Sequence, residues 1–164
     1  MTRLLFREDA YLRTAQATVA GHTEEGGILV DASVFYPTSG GQPGDSGVIT
    51  WDDGQLEIAT AVKGPGETVI LVPAEPSRLP KVCTEIVQEI NWERRHKLMR
   101  MHTALHLLSV VIPLPVTGGS IATDRGRLDF DMPSAPENKD ELENTLNRLI
   151  DCHFAVNAEW ISQG

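Results

Sequence analysis

The chain of 164 residues is long enough for one domain or two small ones with a real hydrophobic core, and its 41% hydrophobic and 23% charged content is ordinary for a globular protein. A net charge of −9 argues against broad electrostatic binding of nucleic acid, and no apolar run approaches a membrane span. Two cysteines, Cys83 and Cys152, are too few and too far apart for a disulfide framework; they read as reduced thiols filling the core of a cytoplasmic protein.

In chain order, Met1–Asp9 meets Arg3 and Arg7 too early for a secretory signal. Short β-prone runs follow at 17–19, 28–30, 48–51, 56–62 and 68–72, separated by glycine- and proline-rich turns, which predicts a small barrel or sandwich. Val82, Thr84, Ile86 and Ile90 alternate with polar residues as part of one more strand, and Pro73, Pro76 and Pro80 punctuate the approach to it. Asn91 reads as an N-cap and Pro113 as a stop, so a helix is expected from about Trp92 to Ile112. Leu98, Met101, Leu105, Leu108 and Ile112 share one stripe of it. A strand pair is expected after Gly118-Gly119-Ser120, its second strand being Leu128–Phe130. A second helix is expected from about Glu137 to Cys152 and a last strand through Val156, Ala158 and Trp160. The fold class expected is α+β: a barrel domain over 1–90, then an α+β domain over 91–164 with long helices packed on an antiparallel sheet.

Charge is distributed unevenly. Residues 1–90 carry six Lys/Arg against thirteen Asp/Glu, whereas residues 91–133 carry six against four. The basic segment, through Arg94, Arg95, Lys97, Arg100, Arg125 and Arg127, also contains His102 and His106. A charge run is usually a solvated face, but this one would also suit a polyanion brought to a local site.

His102 and His106 lie four residues apart on the helix, to one side of the apolar stripe. Side chains at i and i+4 share a face, so two imidazoles there can share one metal ion. A zinc site takes three or four protein ligands, so the pair is half of one. A zinc peptidase would need His-Glu-x-x-His with the glutamate as general base, and Thr103 stands where that glutamate would be. Cys83, Cys152, His153, His22, His96 and Asp129 all contain ligand chemistry, but none has diagnostic spacing. The second informative segment is Phe35–Gly47, Phe-Tyr-Pro-Thr-Ser-Gly-Gly-Gln-Pro-Gly-Asp-Ser-Gly. Its glycines allow close backbone approach to a ligand, and Gln42 between Gly41 and Pro43 can present hydrogen bonds to an ester, a ribose or a base. The absence of a following Lys-Ser/Thr excludes a phosphate loop.

Together these motifs resemble the alanyl-tRNA editing family. Phe35–Gly47 resembles its FYPxSGGQ…GDxG segment, Asn91–Leu108 (Asn-Trp-Glu-Arg-Arg-His-Lys-Leu-Met-Arg-Met-His-Thr-Ala-Leu-His-Leu-Leu) resembles its HTAxHLL helix, and Gly119-Ser120 with Arg127-Leu128-Asp129-Phe130 resembles its GS…RLDF region. The match runs in order over nearly the whole chain. Free-standing members, the AlaX type, are similar in placing a β-barrel before the metal domain. The resemblance implies hydrolysis of the aminoacyl ester of tRNA(Ala) mischarged with serine or glycine. It implies zinc on His102 and His106 together with a Cys-x-x-x-His pair, and an editing role for Gln42. Thr103 would line the pocket beside Gln42. Gly40, Gly41, Arg127 and Asp129 would meet substrate, and the basic helix start (Arg94, Arg95, Lys97, Arg100) would meet backbone phosphates. No Cys-x-x-x-His occurs in these residues, which leads to the expectation of a chain cut short before that segment, with weak or absent zinc. Two rival readings are a non-catalytic tRNA- or protein-binding module with a degenerate zinc site, and a zinc hydrolase acting on another substrate.

Overall fold

The computed structural model describes residues 1–157. Alanine, valine and isoleucine on alternate positions build a closed antiparallel barrel from β2 (Thr14–His22), β3 (Ile28–Val30), β5 (Gly47–Trp51), β6 (Gly54–Lys63), β7 (Val69–Pro73) and β8 (Glu85–Ile90). The order around the barrel is β2-β3-β7-β6-β5-β8, with β8 closing back onto β2. In β8 the alternation is strict, Ile86, Gln88 and Ile90 pointing inward and Glu85, Val87 and Glu89 outward. Val19, Ile28, Ile49, Ile58, Leu71 and Ile86 fill the interior. Closure leaves no barrel strand with an unpaired edge. The sequence does not announce the short β1 (Arg3–Leu4), the single-turn α1 (Leu5–Glu8) or β4 (Ala32–Ser33), β1 pairing in parallel with β4 beside the barrel.

Beyond the barrel, α2 (Trp92–Val111) starts where Asn91 Oδ1 accepts the Arg94 backbone N–H at 3.0 Å, the cap expected of that residue. A hairpin of β9 (Val116–Ile121) and β10 (Gly126–Phe130) follows, then α3 (Lys139–Asp151), whose half-buried Leu142, Leu146 and Leu149 mark its apolar side. On the α2 stripe Leu98 is fully buried, and Met101 and Leu105 lie so close to Gly126 that a Cβ there would come within 2.8 Å of the Met101 sulfur. The missing side chain lets the hairpin pack on the helix.

Three expectations are corrected. Gly118-Gly119-Ser120 lies inside β9 rather than ahead of the strand pair, because it faces the close approach described below. Val82 and Thr84 precede the last barrel strand: Thr84 N–H bonds Lys81 O at 3.1 Å, closing a turn with Cys83 in the left-handed region at φ 67°. That turn leaves Val82 exposed, and Cys83 and Cys152 are both on the surface rather than in the core. The expected last strand falls partly on residues 158–164, outside the described residues. Among the described residues no helix is long and apolar enough to cross a membrane.

Candidate functional site: the glycine hairpin over the helix

The loop between β4 and β5 folds as a small hairpin. Ser39 and Gln42 exchange backbone hydrogen bonds at 3.0 and 2.9 Å, with Gly40 (φ 57°) and Gly41 (φ 79°) between them. Positive φ at both central positions is the signature of a type I′ turn, which two glycines adopt without strain. The Gly41 carbonyl accepts Ile121 N–H at 2.9 Å, and a Cβ on Gly41 would lie 2.6 Å from the Gly119 carbonyl oxygen. The tip therefore rests directly on β9 and leaves no room for a side chain at Gly41.

The base of this hairpin is held from both sides. Thr38 N–H bonds Ala61 O of β6 at 2.9 Å, and Thr38 Oγ1 accepts Gly44 N–H at 2.9 Å. Asp45 accepts Tyr36 N–H at 2.6 Å and Arg95 Nε at 2.9 Å, and a guanidinium nitrogen of Arg95 makes a further ion pair to it. Arg95 also donates to Val34 O at 2.8 Å and Ala10 O at 3.2 Å, while Arg94 donates to Gly44 O at 2.7 Å. Arg95 and Asp45 side chains are 4% and 1% exposed. Arg95 is thus a buried clamp between helix and loop, which corrects its expected role as a phosphate contact. Nothing in the local sequence pairs Asp45 with Arg95, fifty positions away; the one available signal is that each lies inside a motif of the family resemblance.

This clamp sets Gln42 beside α2. Gln42 is 5% exposed, and its Oε1 accepts the His102 Nδ1–H at 3.0 Å. With the proton assigned to Nδ1, the His102 Nε2 lone pair is free for a metal ion or a proton. His106 is exposed and stacks on His102, ring centroids 4.8 Å apart and planes 16° from parallel. A cleft of about 520 Å³ opens beside His102, lined among others by Tyr36, Gln42, Lys63, Arg95 and Met99; His106 is not part of its lining. That size suits a small-molecule moiety.

The other expected site residues lie elsewhere. Gly40 is open to solvent, and Gly41 supports the loop through β9. Thr103 donates to the Met99 carbonyl at 3.1 Å within its own helix. Arg127 and Asp129 form an ion pair with each other at 3.1 Å on β10, and neither lines the cleft.

Partial burial, and secondarily the neighbouring His106, holds the His102 imidazole below the ordinary value of 6.5. An unfolded chain takes up a proton near 6.5 that the folded chain refuses, so stability is complete above that pH and declines as pH falls through and below it. The urea midpoint is expected to fall more steeply between neutral and mildly acidic pH in the native chain than in His102→Gln; parallel slopes would show that His102 carries no such linkage.

In donor type the pair suits zinc, which takes neutral imidazole nitrogen. In number it does not complete a shell: among the described residues no cluster of three His, Cys, Asp or Glu is placed to hold a metal ion. His102 and His106 thus make two donors, half of a closed site.

The family profile described as tRNA synthetases class II (A) matches residues 10–94. Over 98% of its length the chain is 35% identical to the alanyl-tRNA editing protein AlaX-M of Pyrococcus horikoshii, covering 75% of that protein. It is 33% identical to AlaX-M of Methanosarcina mazei, covering 99% of the chain and 69% of that relative. An alanine–tRNA ligase of Pyrobaculum arsenaticum is 32% identical over 94% of the chain, which spans 18% of that enzyme. With the barrel, the SGGQ hairpin and the histidine helix in one arrangement, the chain belongs to the alanyl-tRNA editing family of AlaX-M proteins.

Proposed function

We propose that this protein hydrolyses the aminoacyl ester of mischarged tRNA(Ala), removing serine or glycine in the cytoplasm where the tRNA is charged. The observation that carries the reading is the Gln42–His102 hydrogen bond at the wall of a cleft, in a chain similar to AlaX-M along nearly its whole length.

The 3′-terminal aminoacyl-adenosine enters the cleft, where Tyr36 and Met99 supply apolar wall and Lys63 supplies positive charge near the incoming backbone. Gln42, fixed by the clamped hairpin, orients the His102 ring and keeps its Nε2 unprotonated toward the substrate. The lowered proton affinity of His102 leaves that nitrogen unprotonated at neutral pH, as a proton acceptor or a metal ligand requires. His102 and His106 would hold zinc, which when bound polarises a water molecule or the ester carbonyl. Gly40 and Gly41 serve the site at one remove, by letting the hairpin that carries Gln42 turn tightly and seat on β9. Thr103, Arg127 and Asp129 have a smaller part in this scheme, as supports of the helix and hairpin.

The test is hydrolysis of Ser-tRNA(Ala), Gly-tRNA(Ala) and Ala-tRNA(Ala) by the purified chain, with metal content measured on the same sample. Selective loss of serine or glycine, with zinc bound in proportion to protein, is expected. Zinc with no action on any charged tRNA favours a hydrolase for another substrate. Retained tRNA binding without zinc or hydrolysis favours a non-catalytic module, consistent with the two donors the described residues supply.

A further inference from the structure

Outside the cleft, at the start of α2, three aromatic side chains and a guanidinium form a surface cluster. Trp92 and His96 stack one helical turn apart, centroids 5.4 Å apart and planes 19° from parallel. Tyr11 packs against Trp92 at 5.6 Å, and the Arg13 guanidinium lies 4.5 Å from the Trp92 ring centre. Trp92 is anchored on the barrel core, whereas His96 and Arg13 are exposed and Tyr11 is 63% exposed. An aromatic and cationic array with one side fixed and the other open to water does more than cover the barrel.

The array stands next to the cleft lining in sequence, though none of its four side chains is part of that lining. Ala10 and Arg95 both line the cleft and are hydrogen-bonded to each other; Tyr11 and His96 are the next residues after them. It also lies at the start of the basic segment of an otherwise acidic chain. Lys97 is neutralised by Glu93 at 2.7 Å, but Arg13 and Arg100 enter no ion pair among the described residues.

We infer that Tyr11, Trp92 and His96, with Arg13, form a stacking platform for the unpaired nucleotides that precede the terminal adenosine of the tRNA acceptor end. The inference rests on the proposed tRNA substrate. Flat π-faces accept any base, and guanidinium groups beside them offset the phosphates, the combination by which proteins hold single-stranded nucleic acid. Trp92 and His96 are on the same helix as His102, and Tyr11 follows Ala10 of the cleft lining, so a strand whose last nucleotide occupies the cleft leads its preceding bases toward the platform. It accounts for a chain of net charge −9 engaging RNA: stacking at one aromatic spot carries the contact in place of a broad basic surface.

The test compares the native chain with Tyr11→Ala/His96→Ala, both exposed positions, after thermal melting establishes that the variant is folded. Binding of a short 5′-labelled single-stranded RNA ending in CCA is expected to weaken about tenfold, in line with loss of one stacked base. Tyr11→Phe/His96→Phe, which keeps the rings, is expected to restore it. With Ser-tRNA(Ala), KM should rise more than kcat falls. Unchanged affinity for the RNA in the alanine variant overturns the inference, as does an equal loss toward a blunt hairpin with no unpaired end. Failure of the native chain to hydrolyse any charged tRNA would remove the editing reading, and the RNA comparison would still decide the platform.

Discussion

Asp45→Ala is expected to destabilise the chain by about 3–5 kcal/mol, the range for removing one partner from a buried ion pair. Asp45 is 1% exposed and accepts from Arg95 and from the Tyr36 N–H. Its removal leaves a guanidinium at 4% exposure facing two carbonyl oxygens, Val34 and Ala10, with no counter-charge. A positive charge without its partner in so dry a place costs far more than an exposed pair contributes. Urea unfolding measures it directly. A loss below about 1 kcal/mol would show that water reaches Arg95 and that the clamp is weak. Replacing both members together by Leu and Met is expected to recover part of the loss, since no charge is orphaned although the Tyr36 N–H and the Val34 and Ala10 carbonyls lose these partners. The consequence reaches function, because Asp45 and Tyr36 close the base of the hairpin that ends in Gln42. Loosened there, Gln42 no longer holds His102 in one orientation.

The second large effect concerns activity. His102→Ala is expected to lower kcat/KM for Ser-tRNA(Ala) by roughly 10²–10⁴, the span typical of losing a positioned proton-transfer group. The change removes the one ring that both lines the cleft and bonds the hairpin glutamine. If the two rings share a metal ion, His106→Ala should fall as far and both variants should lose bound zinc, although His106 is exposed and outside the cleft lining. A variant of His102 that deacylates at the native rate would remove the pair from the chemistry altogether. Thermal melts near that of the native chain are expected for both, as neither ring is in the core.

Much of the scaffold was legible because its signals are local. The alternation through Ile86 and Ile90 marks a strand, although not that the polar Gln88 shares their inward face; Asn91 marks a helix start and Pro113 its limit, and the observed helix, Trp92–Val111, stops one residue short of the expected end. The turn at Lys81–Thr84 was misread because Val82 and Thr84 keep the period of a strand while Cys83 takes a left-handed backbone conformation that periodicity does not register.

The site divides in the same way. Spacing alone put His102 and His106 on one helical face, since 3.6 residues per turn fixes it, and the residue types of Ser39–Gln42 demanded a tight turn because only glycine enters positive φ without cost. No local rule brings Gln42 to His102, sixty positions away, or buries Asp45 against Arg95, fifty away. Those contacts depend on the barrel closing and on the hairpin tip meeting Gly119, where the absence of a side chain on Gly41 sets the distance. Sequence determined which groups could do chemistry; tertiary packing decided which of them face one another, because a hydrogen bond between distant residues exists only once the surfaces between them are buried.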